Sequence, residues 1–166
     1  MTKDEFYMGK ALEEAKTAYA VGEIPIGAVI IYQKKAIARA YNLRESLPCA
    51  TAHAELLAIE KACRALGRWR LSGCTLYVTC EPCPMCAGAI VNSRLDRVVY
   101  GCADPKAGAV RSLFQLADSP LLNHQASITA GVRADECATL LKDFFRKKRK
   151  KVILDSPEII VITDET

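Results

Sequence analysis

The sequence lacks long hydrophobic runs, internal repeats and low-complexity stretches. No apolar segment approaches the roughly 20 residues that a membrane-spanning helix needs, although 51% of the 166 residues are hydrophobic. Residues 1–16 mix both charge signs with apolar residues at helical spacing, which is unlike a signal peptide. With 25% charged residues, the composition is typical of a single globular domain. We therefore expect a cytoplasmic protein with no membrane contact.

Lysine and arginine are missing after residue 151. Residues 152–166 contain acidic but no basic side chains, so the 23 basic residues face 15 acidic ones over 1–151, a net charge of +8 against +4 for the whole chain. Much of this excess lies in residues 142–151, KDFFRKKRKK. Such a stretch either attracts phosphate backbones, RNA included, or is a solvated helix end. We expect one domain, 1–151, and an acidic tail, 152–166, that forms an edge strand or is disordered.

The eight cysteines are many for this length. In a reducing compartment such a content is more typical of metal binding or catalysis than of disulfides. Cys80, Cys83 and Cys86 are clustered, whereas the other five are scattered, and we expect those five to be small, buried hydrophobic side chains. They are Cys49, Cys63, Cys74, Cys102 and Cys137.

Hydrophobic spacing and turn residues predict helices that alternate with five strands. Thr2 and Glu5 make a capping box for a first helix, and Thr51 is the predicted cap of a second helix that Gly67 ends. The strands are expected at 26–32, from the turn at 34–35 to 41, at 74–80, at 97–102 and near 126–130, and further helices at 84–93, near 110–117 and from about 134. A first hairpin and helices on both faces predict an α/β fold, a three-layer α/β/α domain with a mixed five-stranded central sheet.

Three potential metal ligands lie in two short motifs. His53 belongs to the triplet HAE, and Cys83 and Cys86 belong to PCPMC, residues 82–86. Three protein ligands leave one position of a tetrahedral zinc ion open, which is typical of a catalytic site. The two cysteines fall at a predicted helix N-terminus, where the helix dipole favours thiolates.

Glu55 is the candidate proton carrier beside such a site. A zinc ion with an open position activates water, and a neighbouring carboxylate can pass a proton to a substrate ring nitrogen while an amino group leaves as ammonia. Residues two apart point roughly 200° away from each other on an ideal helix. His53 and Glu55 can therefore share a pocket only at a first helical turn.

Two other metal sites fit part of this pattern. Cys80 makes a second Cys-x-x-Cys with Cys83, so His53 and three cysteines could close a purely structural zinc site. The C-x-x-C-x-x-C run also resembles iron–sulfur ligation, but the fourth cysteine and its following proline are missing. The structural site leaves Glu55 without a role, which favours the catalytic interpretation.

The combined pattern H-x-E…P-C-x-x-C resembles the signature of the zinc nucleobase deaminases. Nearly all of residues 1–151 further resemble the bacterial tRNA adenosine deaminases of the TadA type. This resemblance implies a cytidine deaminase-like fold. It is carried by EIPIGAV (23–29), AYN (40–42), TAHAE (51–55), TLYVT (75–79), EPC (81–83), MCAGAI (85–90), RVVYG (97–101), NH (123–124), ADEC (134–137) and FFR (144–146).

The resemblance implies that the chain converts the wobble adenosine of a tRNA anticodon to inosine. The partner would be the anticodon stem-loop, with the target base flipped out of the loop. The family works as a homodimer with its active site near the subunit boundary. By the same resemblance His53, Cys83 and Cys86 hold one Zn²⁺ per subunit, and Glu55 moves protons.

The resemblance also implies substrate contacts. Asn42 would hydrogen-bond the base edge, Ala54 would line the substrate site, and Asp104 would lie by the target ribose. Asn42 at a strand end and Asp104 before a proline could instead simply form turns, and His124 is expected to be structural. Candidate RNA contacts lie in the basic stretch, where one of the two adjacent phenylalanines should face the core and the other the surface: Phe144, Phe145, Arg146, Lys147 and Arg149.

Two departures from the family pattern leave alternatives open. Cys80 stands where the family more often has an aliphatic residue, and CEPCPMC, residues 80–86, resembles the same stretch of bacterial guanine deaminases. A free purine or nucleoside deaminase is thus the second hypothesis, and a non-catalytic zinc-stabilised RNA-binding module is the third. The basic residues 142–151 favour a polyanionic substrate. The tail, 152–166, contains none of the stretches that carry the resemblance, and we expect it to be dispensable for the chemistry.

Overall fold

Helices and strands alternate along the chain in the computed structural model, which describes residues 1–154, the last four by their helical backbone alone. Of the predicted tail, 152–166, residues 155–166 lie outside the described residues. The helices are α1 (Lys3–Ala20), α2 (Ala54–Leu66), α3 (Pro84–Asn92) and α4 (Ala134–Leu154). The strands are β1 (Gly27–Tyr32), β2 (Lys35–Tyr41), β3 (Cys74–Cys80), β4 (Arg97–Cys102) and β5 (Ser127–Thr129).

The five strands form one sheet in the order β2-β1-β3-β4-β5. β1 pairs antiparallel with both β2 and β3, whereas β4 pairs parallel with β3 and β5. The predicted mixed, five-stranded sheet is therefore confirmed. In the parallel half, the carboxyl end of β3 leads into the Cys83–Cys86 segment, so this edge of the sheet carries the functional motifs.

Strand alternation divides the core into two layers of side chains. Val29 and Val99 point to the face that α1 and α4 cover, together with Met8 and Cys137. The residues between them in the strands point to the other face, which α2 and α3 cover. This arrangement confirms the three-layer α/β/α prediction. It follows from the period of two in strands, since successive side chains lie on opposite sides of a sheet.

The start of α1 is anchored to the sheet by charge. The Thr2–Glu5 capping box is present, and Asp4 in the same turn receives two hydrogen bonds from Arg97, at 2.9 and 2.7 Å. The hydroxyl of Tyr77 donates to the same carboxylate at 2.8 Å. The hydrogen bond from Arg97 is the largest cause that lowers the pKa of Asp4. Since Arg97 begins β4, this cluster ties α1 to the middle of the sheet.

Two sequence-based predictions are wrong, one about a helix and one about the burial of cysteines. Residues 110–117 form turns rather than a helix, because the backbone N–H groups of Leu113 and Phe114 donate to the Gly108 carbonyl and that of Leu116 to the Ala109 carbonyl, instead of to the carbonyl four residues earlier. Of the five scattered cysteines, Cys49 is exposed and Cys63 is half-buried, whereas the other three are buried as expected. Among the described residues, no helix is both long and apolar enough to span a bilayer.

Candidate metal and substrate site

α2 begins at the site, with His53 as its N-cap residue. His53 has extended backbone angles, φ −78° and ψ 150°, and its side chain makes no capping hydrogen bond. The prediction that Thr51 caps this helix is wrong, because the Thr51 hydroxyl contacts the Cys49 thiol at 3.4 Å two residues before the cap. Glu55 lies in the first turn. The N-cap position frees the imidazole of His53 to point away from the helix, so both side chains reach one pocket.

α3 begins at the same place, with Cys83 as its N-cap residue and Pro84 in its first turn. The Cys83 side chain makes no capping hydrogen bond either. Cys86 follows one turn later and is fully buried. Two helix N-termini thus converge on the site, and their partial positive charges favour anionic ligands such as thiolates. The predicted placement of both cysteines at a helix N-terminus is confirmed.

Three potential ligand atoms lie together with spacings that fit a metal ion. The Nδ1 atom of His53 is 3.6 Å from the Sγ atom of Cys83 and 3.6 Å from that of Cys86, and all three atoms lie within 4.8 Å of one another. Tetrahedral Zn²⁺ with Zn–N near 2.0–2.1 Å and Zn–S near 2.3 Å requires an N···S separation of about 3.6 Å. The donor set and its spacing therefore fit zinc.

Cys80 is not part of this group in the described residues. Its side chain is buried in the core beside Cys102, its register partner on the neighbouring parallel strand. The neighbouring Cys102 thiol, followed by burial, raises the pKa of Cys80, so the group is a neutral thiol. The arrangement leaves three protein ligands and an open fourth position, as in catalytic zinc sites.

The two candidate thiolates influence each other strongly. The hydrogen bond from Cys86, followed by that from His53, lowers the pKa of Cys83 to about 4. The same bond to Cys83, followed by burial, raises the pKa of Cys86. The hydrogen bond with Cys83 also raises the pKa of His53. A metal ion binds such ligand atoms in their deprotonated form. Its binding therefore releases the protons that the three side chains share in its absence.

Glu55 lies beside these three residues and is only 4% exposed. Its Oε2 atom accepts a hydrogen bond from the Cys86 thiol at 3.3 Å. Burial raises the pKa of Glu55 above that of an ordinary glutamate. A raised pKa suits a group that must both accept and donate a proton near neutral pH.

A cavity opens directly from this cluster. His53, Glu55 and Ala54 form one wall, and the end of β2 and the segment before β1 form the others. The cavity is thus mixed in character, with apolar side chains and few polar groups, as is usual for small-ligand sites. Its lining residues are Ile24, Ile26, Asn42, Arg44, His53, Ala54 and Glu55.

Asn42 follows β2 and is buried at the edge of this cavity. Its Oδ1 atom accepts a hydrogen bond from the backbone N–H of Arg44 at 3.4 Å, which is a local turn. Its Nδ2 atom donates to the buried carboxylate of Glu23 at 3.4 Å. The turn that we considered as an alternative role for Asn42 is present, and so is a position at the cavity.

Asp104 does not line this cavity. Its carboxylate accepts hydrogen bonds from the backbone N–H groups of Lys106 and Ala107 at 3.1 and 3.2 Å, so the turn interpretation describes what it does in the structure. Its own N–H donates to Glu81 at 3.2 Å. Glu81 is buried and accepts further hydrogen bonds from the backbone of residues 110–112.

Gly108 completes this loop, because a Cβ atom there would collide with the Glu81 carboxylate and with the Asp104 carbonyl. Burial alone raises the pKa of Glu81, but the hydrogen bonds from the loop outweigh it and lower the pKa to about 2. Glu81 therefore remains ionised. It holds the whole loop from 104 to 112 beside the PCPMC motif.

The basic stretch forms the end of α4 and packs against α1. Phe144 is 8% exposed and contacts Tyr19 edge to face at 5.5 Å between ring centroids, whereas Phe145 is 38% exposed. The expectation that one faces the core and the other the surface is confirmed. Asp143 accepts hydrogen bonds from Tyr19 at 2.6 Å and from Arg146 at 2.7 Å, which orders this surface. Lys147 and Arg149 are exposed, so these cations are accessible.

The basic surface forms a groove with residues at and just after the end of α1. Phe144 and Lys147 line a groove with Gly22 at the end of α1, and the next residue, Glu23, reaches Asn42. His124 lies elsewhere and donates from Nε2 to the Leu95 carbonyl at 2.7 Å, the structural role that we expected.

Three residues around the site were missed by the sequence analysis. Arg44 lines the cavity, Glu23 contacts Asn42, and Glu81 holds the loop after β4. Glu23 and Glu81 lie within stretches that carry the family resemblance, but nothing local distinguishes a buried acceptor from an exposed acid. Each partner is distant in sequence, at separations of 19 to 31 residues.

Comparisons with known proteins agree with this geometry. A model of the MafB19-like deaminase family matches residues 2–149. A tRNA-specific adenosine deaminase from Bacillus subtilis (strain 168) is 54% identical over 151 residues, 91% of this chain and 94% of that protein. A chain from structural studies of A-to-I editing by tRNA:A34 deaminases at the wobble position has a TM-score of 0.79 and 44% identity, covering 82% of this chain and 99% of that one. The guanine deaminase of Bacillus subtilis is less similar, with a TM-score of 0.60 and 31% identity over 90% of this chain and 95% of that one.

Proposed function

This chain belongs to the family of tRNA-specific adenosine deaminases, and we propose that it hydrolyses the wobble adenosine of a tRNA anticodon loop to inosine with release of ammonia. Water supplies the oxygen: a C–O bond forms at the purine carbon that bears the amino group, and the C–N bond at that carbon breaks. The observation that carries the proposal is the convergence of His53, Cys83 and Cys86 on one point beside the buried Glu55.

The metal is proposed to be one Zn²⁺ per subunit, held by His53, Cys83 and Cys86. When bound, zinc supplies a Lewis acid that activates water for attack. The matching N···S separations of 3.6 Å support zinc over an ion that prefers oxygen ligands. Metal analysis of the purified protein tests this: one zinc per chain is expected, and Cys86→Ala should reduce it strongly.

Glu55 is the proposed catalytic proton carrier. Its carboxylate takes up the proton that the attacking water loses and delivers it to a ring nitrogen of the purine, which makes the ring carbon more electrophilic. Burial raises its pKa and thereby suits it to the return of a proton to the leaving amino group. Ile24, Ile26 and Ala54 supply the apolar part of the cavity wall beside Glu55.

The substrate contacts are proposals of the same kind. Asn42 hydrogen-bonds the base edge, and Ala54 packs at the cavity wall that the base faces, as their position in the cavity supports. Asp104 lies by the target ribose once RNA is bound, on a loop that Glu81 holds. The exposed cations after Phe144 contact flanking phosphates, and Phe145 offers a ring face for a splayed base. The residues proposed to contact RNA directly are Phe145, Arg146, Lys147 and Arg149. Phe144 is proposed to support them by packing beneath this surface.

Transfer RNA is favoured over a free purine for two reasons. The relatives named tRNA-specific adenosine deaminases are more similar in sequence than the guanine deaminase, at 54% against 31% identity. A free purine offers no phosphates for the basic end of α4. The resemblance of CEPCPMC to guanine deaminases rests on Cys80, whose side chain lies beside Cys102 in the core and does not line the cavity.

We further propose a cytoplasmic homodimer. Leu113, Phe114 and Leu121 are 53%, 54% and 92% exposed in the segment between β4 and β5, of which Glu81 holds the first part, residues 104–112. Exposed apolar side chains in one segment are typical of an interface. The free cysteines suit a reducing compartment. Sedimentation analysis should give twice the chain mass, and Leu121→Glu should shift it to the monomer.

The substrate assay separates the candidate purines. The zinc-loaded protein is incubated with an adenosine-containing anticodon stem-loop, and free guanine and free adenosine are incubated in parallel, with mass spectrometry as the readout. Inosine at the wobble position with both free purines unchanged is the expected result. Turnover of guanine with an unchanged stem-loop would overturn the RNA assignment while leaving the deaminase chemistry intact.

A further inference from the structure

Glu23 is a buried acid with no role in the chemistry described so far. It is 1% exposed and lies between the end of α1 and β1. Its Oε1 atom accepts hydrogen bonds from the backbone and hydroxyl of Ser46, at 2.5 and 2.7 Å. Its Oε2 atom accepts from Asn42 Nδ2 and from the backbone of Glu45, both at 3.4 Å. One carboxylate thus receives four donors, all from the segment that follows β2.

The charge state of Glu23 follows from these donors. Burial raises its pKa, but the hydrogen bonds from Ser46 and Glu45 outweigh burial and lower it. At neutral pH the group is therefore a carboxylate, which can accept hydrogen bonds but cannot donate them. Any side-chain atom that faces it must be a donor.

This requirement determines the orientation of Asn42. The oxygen and nitrogen of a side-chain amide are nearly equal in size, so hydrogen-bond partners decide which way the amide faces. Glu23 requires the nitrogen on its side, and the Arg44 backbone N–H requires the oxygen on the other. One N–H and one oxygen lone pair of Asn42 then remain for a ligand in the cavity. Their order along the amide is set by Glu23.

We infer that Glu23 is a positioning residue for substrate recognition, which fixes the donor–acceptor order that Asn42 presents to the purine edge and holds residues 43–46 at the cavity rim. The inference rests on the proposed function, because it takes Asn42 as a contact of the target base. Glu23 itself does not line the cavity and so acts through Asn42.

Glu23→Gln is the appropriate perturbation, since it keeps the size of the side chain. The short contact with the Ser46 backbone N–H holds an oxygen at the Oε1 position, so the new NH₂ group lies opposite the amide nitrogen of Asn42. Two donors then face each other at position 23, whereas a rotated Asn42 amide would set its NH₂ group against the Arg44 N–H. Neither orientation satisfies both neighbours, so the donor–acceptor order shown to the base is no longer fixed.

The test is a double-mutant cycle with single-turnover deamination of the stem-loop as the readout. Glu23→Gln should lower kcat/KM by about 10- to 150-fold in the wild-type background, as expected for lost hydrogen bonds to a charged group. In the Asn42→Ala background the same change should cost at least about threefold less, because the amide to be oriented is gone and only the contact with the Glu45 backbone is still lost. Ser46→Ala is the matched control: it removes a hydroxyl donor to Oε1 but leaves the Asn42 contact, and it should cost less than about threefold.

Two measurements accompany the cycle. Zinc content and the melting temperature show whether each variant is folded and metal-loaded. If Glu23→Gln does not fold, Glu23→Asp replaces it in the cycle, because the shorter carboxylate withdraws from Asn42 while it keeps its charge. Equal losses in both backgrounds, or no loss in either, would overturn the inference and give Glu23 a structural role only. A wild-type protein that leaves the stem-loop unchanged would instead overturn the proposed function, which the first reaction of the series reveals before any variant is compared.

Discussion

Replacing Glu81 by glutamine should loosen the loop after β4 at little change in volume. The carboxylate accepts backbone hydrogen bonds from Asp104, Val110, Arg111 and Ser112 at 3.2, 3.1, 3.0 and 2.9 Å. A glutamine oxygen at the Oε2 position can retain the last three, but its NH₂ group then faces the N–H of Asp104. The N–H of Asp104 therefore loses its acceptor in a half-buried position.

The magnitude follows from these contacts. A buried donor left without a partner costs about 1–3 kcal/mol, and each retained bond weakens when its acceptor is no longer charged. Together we expect a loss of about 2–4 kcal/mol in the free energy of unfolding. For a chain of this size that corresponds to a fall in Tm of roughly 5–15 °C.

The assay is thermal unfolding of wild type, Glu81→Gln and Glu136→Gln in the same buffer. Glu136 is the control because its carboxylate likewise accepts hydrogen bonds, here two from the guanidinium of Arg133, both at 2.8 Å. Its side chain is 55% exposed, so the control should change the free energy of unfolding by less than about 1 kcal/mol. A Glu81→Gln protein as stable as wild type would refute the argument, as would an equal loss in both variants.

Three further predictions concern separate parts of the molecule. Asp4→Asn should destabilise the fold by about 1–2 kcal/mol at neutral pH, since Asp4 is only partly shielded from solvent; because its folded pKa is lowered, this difference should vanish as the pH falls through that pKa, and a difference that persists in acid would contradict the assignment. Cys80→Val should leave the zinc content unchanged, as atomic emission can show, whereas a lost zinc would make Cys80 a ligand. Removal of residues 152–166 should leave single-turnover deamination within about threefold of the full chain, and loss of turnover would give the tail a role in the chemistry.

Local patterns were sufficient for most of the fold. Strand alternation predicted β3 and β4 with their observed bounds. Successive side chains of a strand point to opposite faces of the sheet, so this pattern can be read from a short stretch of sequence. Helix geometry alone does not predict a pocket shared by His53 and Glu55, but it restricts such a pocket to a helix start, which is where the structure has both residues. The cap was not predictable in this way: Thr51 is a good capping residue in isolation, but the segment turns once more before the helix begins.

Two of the failures share a physical cause, which is a contact with a residue distant in sequence. In place of the predicted helix at 110–117, the first N–H groups of the segment donate to a carboxylate about 30 residues earlier, and those of Leu113 and Phe114 donate to the Gly108 carbonyl. Glu23 escaped notice for the same reason, since its contact with Asn42 forms only when the end of α1 meets the end of β2. Side chains that organise a loop from a distance have no periodicity, so composition and spacing do not reveal them.

Glu55 is expected to drive deamination at a zinc site built from His53, Cys83 and Cys86. The decisive comparison is between wild type and Glu55→Ala, with zinc content, stem-loop affinity and inosine formation measured in one preparation. We predict unchanged zinc and RNA binding with a rate of inosine formation lower by about 10²–10⁴-fold. Inosine formation by the variant at the wild-type rate would contradict it, and the absence of inosine with wild type despite bound zinc and RNA would make the protein a binding module rather than an enzyme.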